Sequence, residues 1–430
     1  MLSFAEIRAR EFSRLDAQKH VYLDYTGSAL YAESQIRAHH ELLRTGLFGN
    51  PHSESAPSQA STEIIERARD RVLLHFDVDR TTHDVIFTAN TSAAIKLVAE
   101  SYPFSSRNAC VLTVDNHNSM NGIREYAMRA GAAVHYLPLD DELRLRDFDL
   151  PAGGGLFGFP AQSNFSGVQH PLSLVTEAQQ CGFDVMLDVA AYVPSHALSL
   201  RECPADFVAL SFYKMFGYPT GVGALIARRD SLAKLHRPWF AGGTVLFASV
   251  TPPTHLLRPD HEGWEDGTPN FLAIAALEPG FDFLDSIGMP RITDHVRHLT
   301  TLLLESLHPA AQIYGPLTVD RRGGTIGFNI PGIPYWEVEA AAREQNISLR
   351  GGCFCNPGAA LSALGLDPHA IAHHLTTLGP TFTPARLATT LGQPVGAVRV
   401  SVGVANGEGE VGSPDSTFFR VCPGWRSPRC

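Results

Sequence analysis

At 430 residues the chain is too long for one simple core, so two domains are the natural expectation. Its 34 basic and 44 acidic residues leave a formal charge of -10, which argues against a nucleic-acid backbone as the main ligand. No stretch reaches the roughly 18 apolar residues that a membrane span needs. The amino end lacks an apolar core followed by a small-residue cleavage site, so the expected location is the cytosol. Seven cysteines, at 110, 181, 203, 353, 355, 422 and 430, are too few and too scattered for a disulfide framework. A cysteine of note here is chemical rather than structural.

A helix over 4–17 opens the chain. Short apolar runs bounded by turn residues then read as buried parallel strands at 84–87, 109–114, 155–159, 184–187 and 207–210. Helical segments at 91–102, 120–131 and 171–181 lie between them. Strands alternating with helices predict a doubly wound α/β sheet, whose ligand sits beyond the carboxyl ends of the strands. From about residue 290 the texture changes to a long helix at 291–307, a strand at 325–330, a helix at 335–345 and a last strand at 397–402. The expected division is therefore a large domain over 19–288, a smaller α+β domain from 1–18 and 289–406, and an irregular tail over 407–430.

Only four lysines occur, against thirty arginines, which narrows any amine chemistry. Lys214 follows the apolar strand 207–210 and precedes a turn rich in Gly and Pro, where backbone can approach a ligand. Burial there would favour the free amine that a Schiff base with an aldehyde requires. Thr91 and Ser92 stand where a strand gives way to a helix; that position suits a phosphate and equally a plain helix cap. Asp188 ends another strand, where it would meet a protonated ring nitrogen or cap a turn. His117 and Asn164 follow two further strands and offer a stacking imidazole and an oxygen donor, or simple loop roles. Together these strand ends supply what pyridoxal 5'-phosphate requires.

The order Asn90-Thr-Ser92, His117, Asn164, Asp188, Ser211-Phe-Tyr-Lys214 and Gly267-Thr-Pro-Asn270 resembles the class V aminotransferase family, and within it the cysteine desulfurases. The segments 21–31, 49–53, 159–167, 211–217 and 350–359 are similar to the amino-terminal domain of the molybdenum cofactor sulfurases, the likeness running from about residue 20 to about 405. The resemblance implies fold type I of the pyridoxal-phosphate-dependent transferases, with a mostly parallel seven-stranded sheet. It also implies a homodimer. It makes Lys214 the Schiff-base lysine, Asp188 the ring-nitrogen partner and His117 the stacking ring. Thr91, Ser92, Ser211 and Tyr213 would hold the phosphate, and Thr268 would reach the phosphate of the neighbouring subunit. Arg399 would bind the substrate carboxylate, with Asn164 beside both cofactor and substrate.

Cys353-Phe-Cys355 follows Arg350 and two glycines, which predicts a mobile, partly exposed loop where a thiolate is stabilised. A buried pair, a redox pair and a metal pair are the competing readings. A metal site lacks a second ligand pair of suitable spacing, since His373 and His374 are adjacent rather than helically spaced. The resemblance makes Cys355 the persulfide-forming residue and Cys353 an assisting cysteine. It thereby implies a sulfurtransferase that converts L-cysteine or a related amino acid to alanine and passes sulfur to an acceptor that the sequence does not name. Ala191 stands where desulfurases carry glutamine, as the sulfurases also have a small residue there. Ala359-Ala360 stands where sulfurases have a third cysteine. The similarity does not extend to the molybdenum-cofactor-binding domain, so action on that cofactor is not implied. A carbon–sulfur lyase on the same fold and a non-catalytic scaffold are the alternative functions.

Overall fold

A computed structural model of the chain describes residues 1–307 and 311–411. Its main sheet has seven strands, in the spatial order His83–Thr88, Gly223–Arg228, Phe207–Ser211, Phe183–Asp188, Gly155–Pro160, Ala109–Thr113 and Ala133–Leu137. Gly223–Arg228 runs antiparallel to both its neighbours, and the remaining pairings are parallel. The apolar runs are continuous because the sheet is covered on both faces. Phe157, Val185 and Leu187 enter one core, while Leu156 and Met186 enter the other. Alternate residues of a strand point to opposite faces, and here both faces are dry.

A second, antiparallel sheet carries Gln312–Tyr314, Thr325–Asn329, Ala397–Ser401 and Arg350–Gly352. Its register places Arg350 directly opposite Arg399. Val21–Tyr22 pairs with Ile347–Ser348, and Asp24 bridges to Ser401. The segment around 21–24, grouped by its sequence with the first unit, is thus tied to strands of the second.

The amino-terminal helix departs from expectation by breaking in two, Phe4–Glu11 and Ser13–Ala17. Phe12 leaves helical geometry at φ -133° to bury its ring in the core. Ser3 and Glu6 close the first helix with a reciprocal capping box. The expected helix at 120–131 is likewise two, Asn118–Asn121 and Ile123–Arg129. An exposed hairpin, Val245–Ser249 with Thr254–Leu257, was not legible from the sequence. Of the tail, Glu408–Val411 forms a short helix; residues 412–430, with Cys422 and Cys430, lie outside the described residues. No helix among the described residues is long and apolar enough to cross a membrane.

Candidate active site

The carboxyl ends of the main-sheet strands open onto a cavity of about 430 Å³, within the range usual for small-molecule sites. Asp188 and Ser211 are the last residues of their strands, and Thr91, His117 and Asn164 lie just past three others. All five line this cavity with Ser92, Tyr213 and Lys214, so the structure brings together eight of the residues singled out in the sequence. Two glycines make the convergence possible. A Cβ on Gly223 would stand 2.6 Å from the Asn90 Cα, so only glycine lets that strand press against the turn leading to Thr91. Gly217, at φ +78°, ends the Lys214 helix; a Cβ there would collide with the backbone of Leu30 and Tyr31.

Thr91 and Ser211 form one donor cluster. The Thr91 backbone N–H donates to the Ser211 hydroxyl at 2.8 Å, and the two hydroxyls are 2.7 Å apart. Thr91 opens the helix Thr91–Ser101, which Asn90 caps through the Ala93 N–H. The cap and the anion site are therefore compatible, because the cap belongs to Asn90 and leaves the hydroxyls of Thr91, Ser92 and Ser211 at the cavity wall. Asp188 is buried and accepts the Ala190 N–H at 3.0 Å. The turn reading is thus seen, and the same carboxylate also lines the cavity.

Burial pushes the Lys214 amine below its ordinary value; Asp188 opposes that shift, Arg399 and Arg350 reinforce it, and Cys355 opposes it. His117 is lowered mainly by burial, against the pull of Asp188 and with help from Lys214 and Arg399. Its Nδ1 lies 3.0 Å from the Ser119 hydroxyl and accepts the Ser119 N–H at 3.1 Å. Lone-pair use at Nδ1 leaves Nε2 as the nitrogen for other work.

Cys353 and Cys355 are exposed free thiols. Their exposure agrees with the expectation of a partly exposed loop, and the loop is held by contacts on either side of it. Phe354 is buried and packs on Phe165, with ring centroids 5.3 Å apart. The Asn118 N–H donates to the Cys355 carbonyl at 2.7 Å, and the Asn164 amide donates to the Phe354 carbonyl at 2.8 Å. Both partners come from the turns that carry His117 and Asn164.

Arg399 is buried and does not line the cavity. Its guanidinium donates to the Asn164 carbonyl at 3.0 Å and to Asp24 at 2.9 Å, and lies 4.8 Å from the centre of the Phe354 ring. Its Nε finds no hydrogen-bond partner among the described residues. Asp24 also accepts from Arg350, at 2.7 and 3.2 Å. Thr268 lies apart as well, in an adjoining cavity of about 270 Å³ that shares Ala89 and Gly221 with the first.

The family model described as Aminotransferase class-V matches residues 21–413. The chain belongs to the class V aminotransferase family. It is 35% identical over 451 residues to molybdenum cofactor sulfurase of Solanum lycopersicum, covering 93% of this chain and 54% of that protein. The Homo sapiens molybdenum cofactor sulfurase is also 35% identical, over 442 residues, with 93% and 49% covered. The chain thus spans about half the length of the curated relatives it matches. Among solved structures, the apo cysteine desulfurase of Thermococcus onnurineus NA1 superposes with a TM-score of 0.81 at 24% identity, covering 98% of this chain and 97% of that one. A cysteine desulfurase of Escherichia coli superposes at 0.79 with 22% identity, covering 98% of each. These likenesses establish the fold.

Within this class V site, sequence reading missed Asp24, Ser119, Gln162 and Asn356. Ser119 and Gln162 line the cavity. Asp24 and Asn356 act from outside it, through contacts spanning hundreds of residues that no local pattern announces.

Proposed function

We propose that the cavity holds pyridoxal 5'-phosphate and that the protein moves sulfur from L-cysteine, or a close relative, onto Cys355. The donor set fits the cofactor. Lys214 supplies an amine that burial biases toward its free form, Asp188 a buried carboxylate for a ring nitrogen, and Thr91, Ser92, Ser211 and Tyr213 the phosphate-binding groups. When bound, the cofactor supplies an electron sink next to the amino-acid Cα. Lys214, as the free amine, takes the Cα proton, and His117, which lines the same cavity, would move a proton at the substrate thiol. The Cys355 thiolate attacks the substrate sulfur; the new S–S bond forms as the substrate C–S bond breaks, and protonation at carbon completes alanine. One cysteine and one protein thiol thereby become one alanine and one persulfide.

The observation that carries this reading is the tie of the Cys355 loop to the turns bearing His117 and Asn164, two residues that line the Lys214 cavity. Cys355→Ala should keep the visible absorbance of bound cofactor and lose sulfur transfer. Wild-type turnover by that variant, or continued sulfide release from it, would favour a lyase that needs no thiol. We read the protein as a homodimer, as its likeness to the family implies, with Thr268, in the adjoining cavity, serving the partner's phosphate. We propose the cytosol as the location, in keeping with the few, scattered cysteines of the sequence. The acceptor is left open, as a protein or a small molecule.

A further inference from the structure

The turn that carries Cys355 has an unusual backbone. Phe354 and Cys355 take φ values of +57° and +56°, left-handed conformations that non-glycine residues adopt at a cost and keep only where their surroundings over-determine them. The surroundings here converge on Asn356, which is fully buried. Its side-chain amide donates to the Asp115 carbonyl at 2.6 Å and to the Asn164 side-chain oxygen at 2.9 Å. Its side-chain oxygen accepts the Ala359 N–H at 3.1 Å, capping the helix Pro357–Leu364, and its own N–H donates to the Cys353 carbonyl at 2.9 Å. The three side-chain bonds all require the same orientation of the amide. The Asn164 oxygen accepts from Asn356, so the Asn164 nitrogen is the group that donates to Phe354. The Asp115 end is held in turn, its carboxylate 2.8 Å from His170 Nε2 with both side chains buried.

We propose that Asn356 is a positioning residue: its amide ties the turns bearing His117 and Asn164 to the cysteine loop and so fixes the direction in which the Cys355 thiol is presented. The catalytic part of this inference rests on the proposed sulfur transfer. Asparagine is required because the position needs two donors and one acceptor on one short side chain. Asp and Ser cap helices about as well as Asn, yet neither supplies both donors. Asn356→Ser and Asn356→Asp therefore separate capping from positioning, and the serine variant introduces no new charge.

The test uses cofactor-loaded wild-type protein and both variants, with two readouts. Hydrogen exchange at the Asn118 amide, which bonds the Cys355 carbonyl, should be faster in both variants. Single-turnover persulfide formation on Cys355 after adding L-cysteine should slow about 10- to 100-fold, as expected for a displaced reacting group, with the half-saturating L-cysteine concentration changed by less than about threefold. Wild-type exchange and wild-type persulfide kinetics in Asn356→Ser would overturn the inference and leave Asn356 a helix cap. If the wild type transfers no sulfur while the variants still exchange faster, the anchoring role stands and the proposed reaction falls.

Discussion

Asp24→Ala should be among the most costly single substitutions near the site. Two arms of unequal worth meet at this carboxylate. Arg399 is 2% exposed, and without Asp24 its charge keeps only the Asn164 carbonyl and the face of Phe354. Breaking a buried pair in this way costs about 3–5 kcal/mol. Arg350 is 47% exposed, and its pairing with Asp24 is worth about 0–1 kcal/mol. The two arginines are also cross-strand partners, so losing Asp24 leaves like charges directly opposed. We expect Asp24→Ala to lose about 3–5 kcal/mol and Arg350→Ala less than about 1 kcal/mol. The double variant Asp24→Ala/Arg399→Met should recover stability relative to Asp24→Ala, since it removes the stranded charge. Urea unfolding midpoints at pH 7 provide the comparison. Equal midpoints for Asp24→Ala and Arg350→Ala, or a double variant weaker than Asp24→Ala, would refute the reasoning.

Two pH dependences follow from buried titrating groups. Lys214 has a folded-state value below its ordinary 10.5, so in the window between the two the unfolded chain binds more protons. Cofactor-free protein should therefore gain stability from this residue as pH rises through that window, and Lys214→Met should remove the gain, as read from urea midpoints at stepped pH. His261 behaves in the opposite sense. Burial disfavours its charge, but Asp84 and Glu66 outweigh burial and raise it from 6.5 to about 9. The corresponding stabilisation, about 3 kcal/mol, is fully present below pH 6.5 and is lost as pH rises through about 9. His261→Gln should thus be clearly less stable than wild type at pH 6 and close to it at pH 10; a constant difference across that range would contradict the assignment.

Much of this site was legible because each residue sits at a strand end that local apolar patterning marks. Lys214 after 207–210, Asp188 after 184–187 and His117 after 109–114 needed only the rule that α/β sheets bind ligands at their carboxyl edge. What escaped were features fixed by distant contacts. Asp24 and Arg399 meet across 375 positions, and nothing near either residue shows that the arginine will be buried behind Phe354. The same holds for the cysteine loop. Its glycines say nothing of the contacts it makes, which come from Asn118, Asn164 and Asn356. Gly223–Arg228 has the composition of any buried strand, and its reversed direction is invisible to hydrophobic period.

The central claim is sulfur transfer from a free amino acid to Cys355, and the most direct measurement is the quantity of alanine and protein persulfide formed when L-cysteine is added to cofactor-loaded protein. The account predicts early, equimolar appearance of both, with the persulfide mapped by mass spectrometry to Cys355. Alanine or sulfide released without any persulfide on Cys355, or no alanine from a folded protein with bound cofactor, would contradict it.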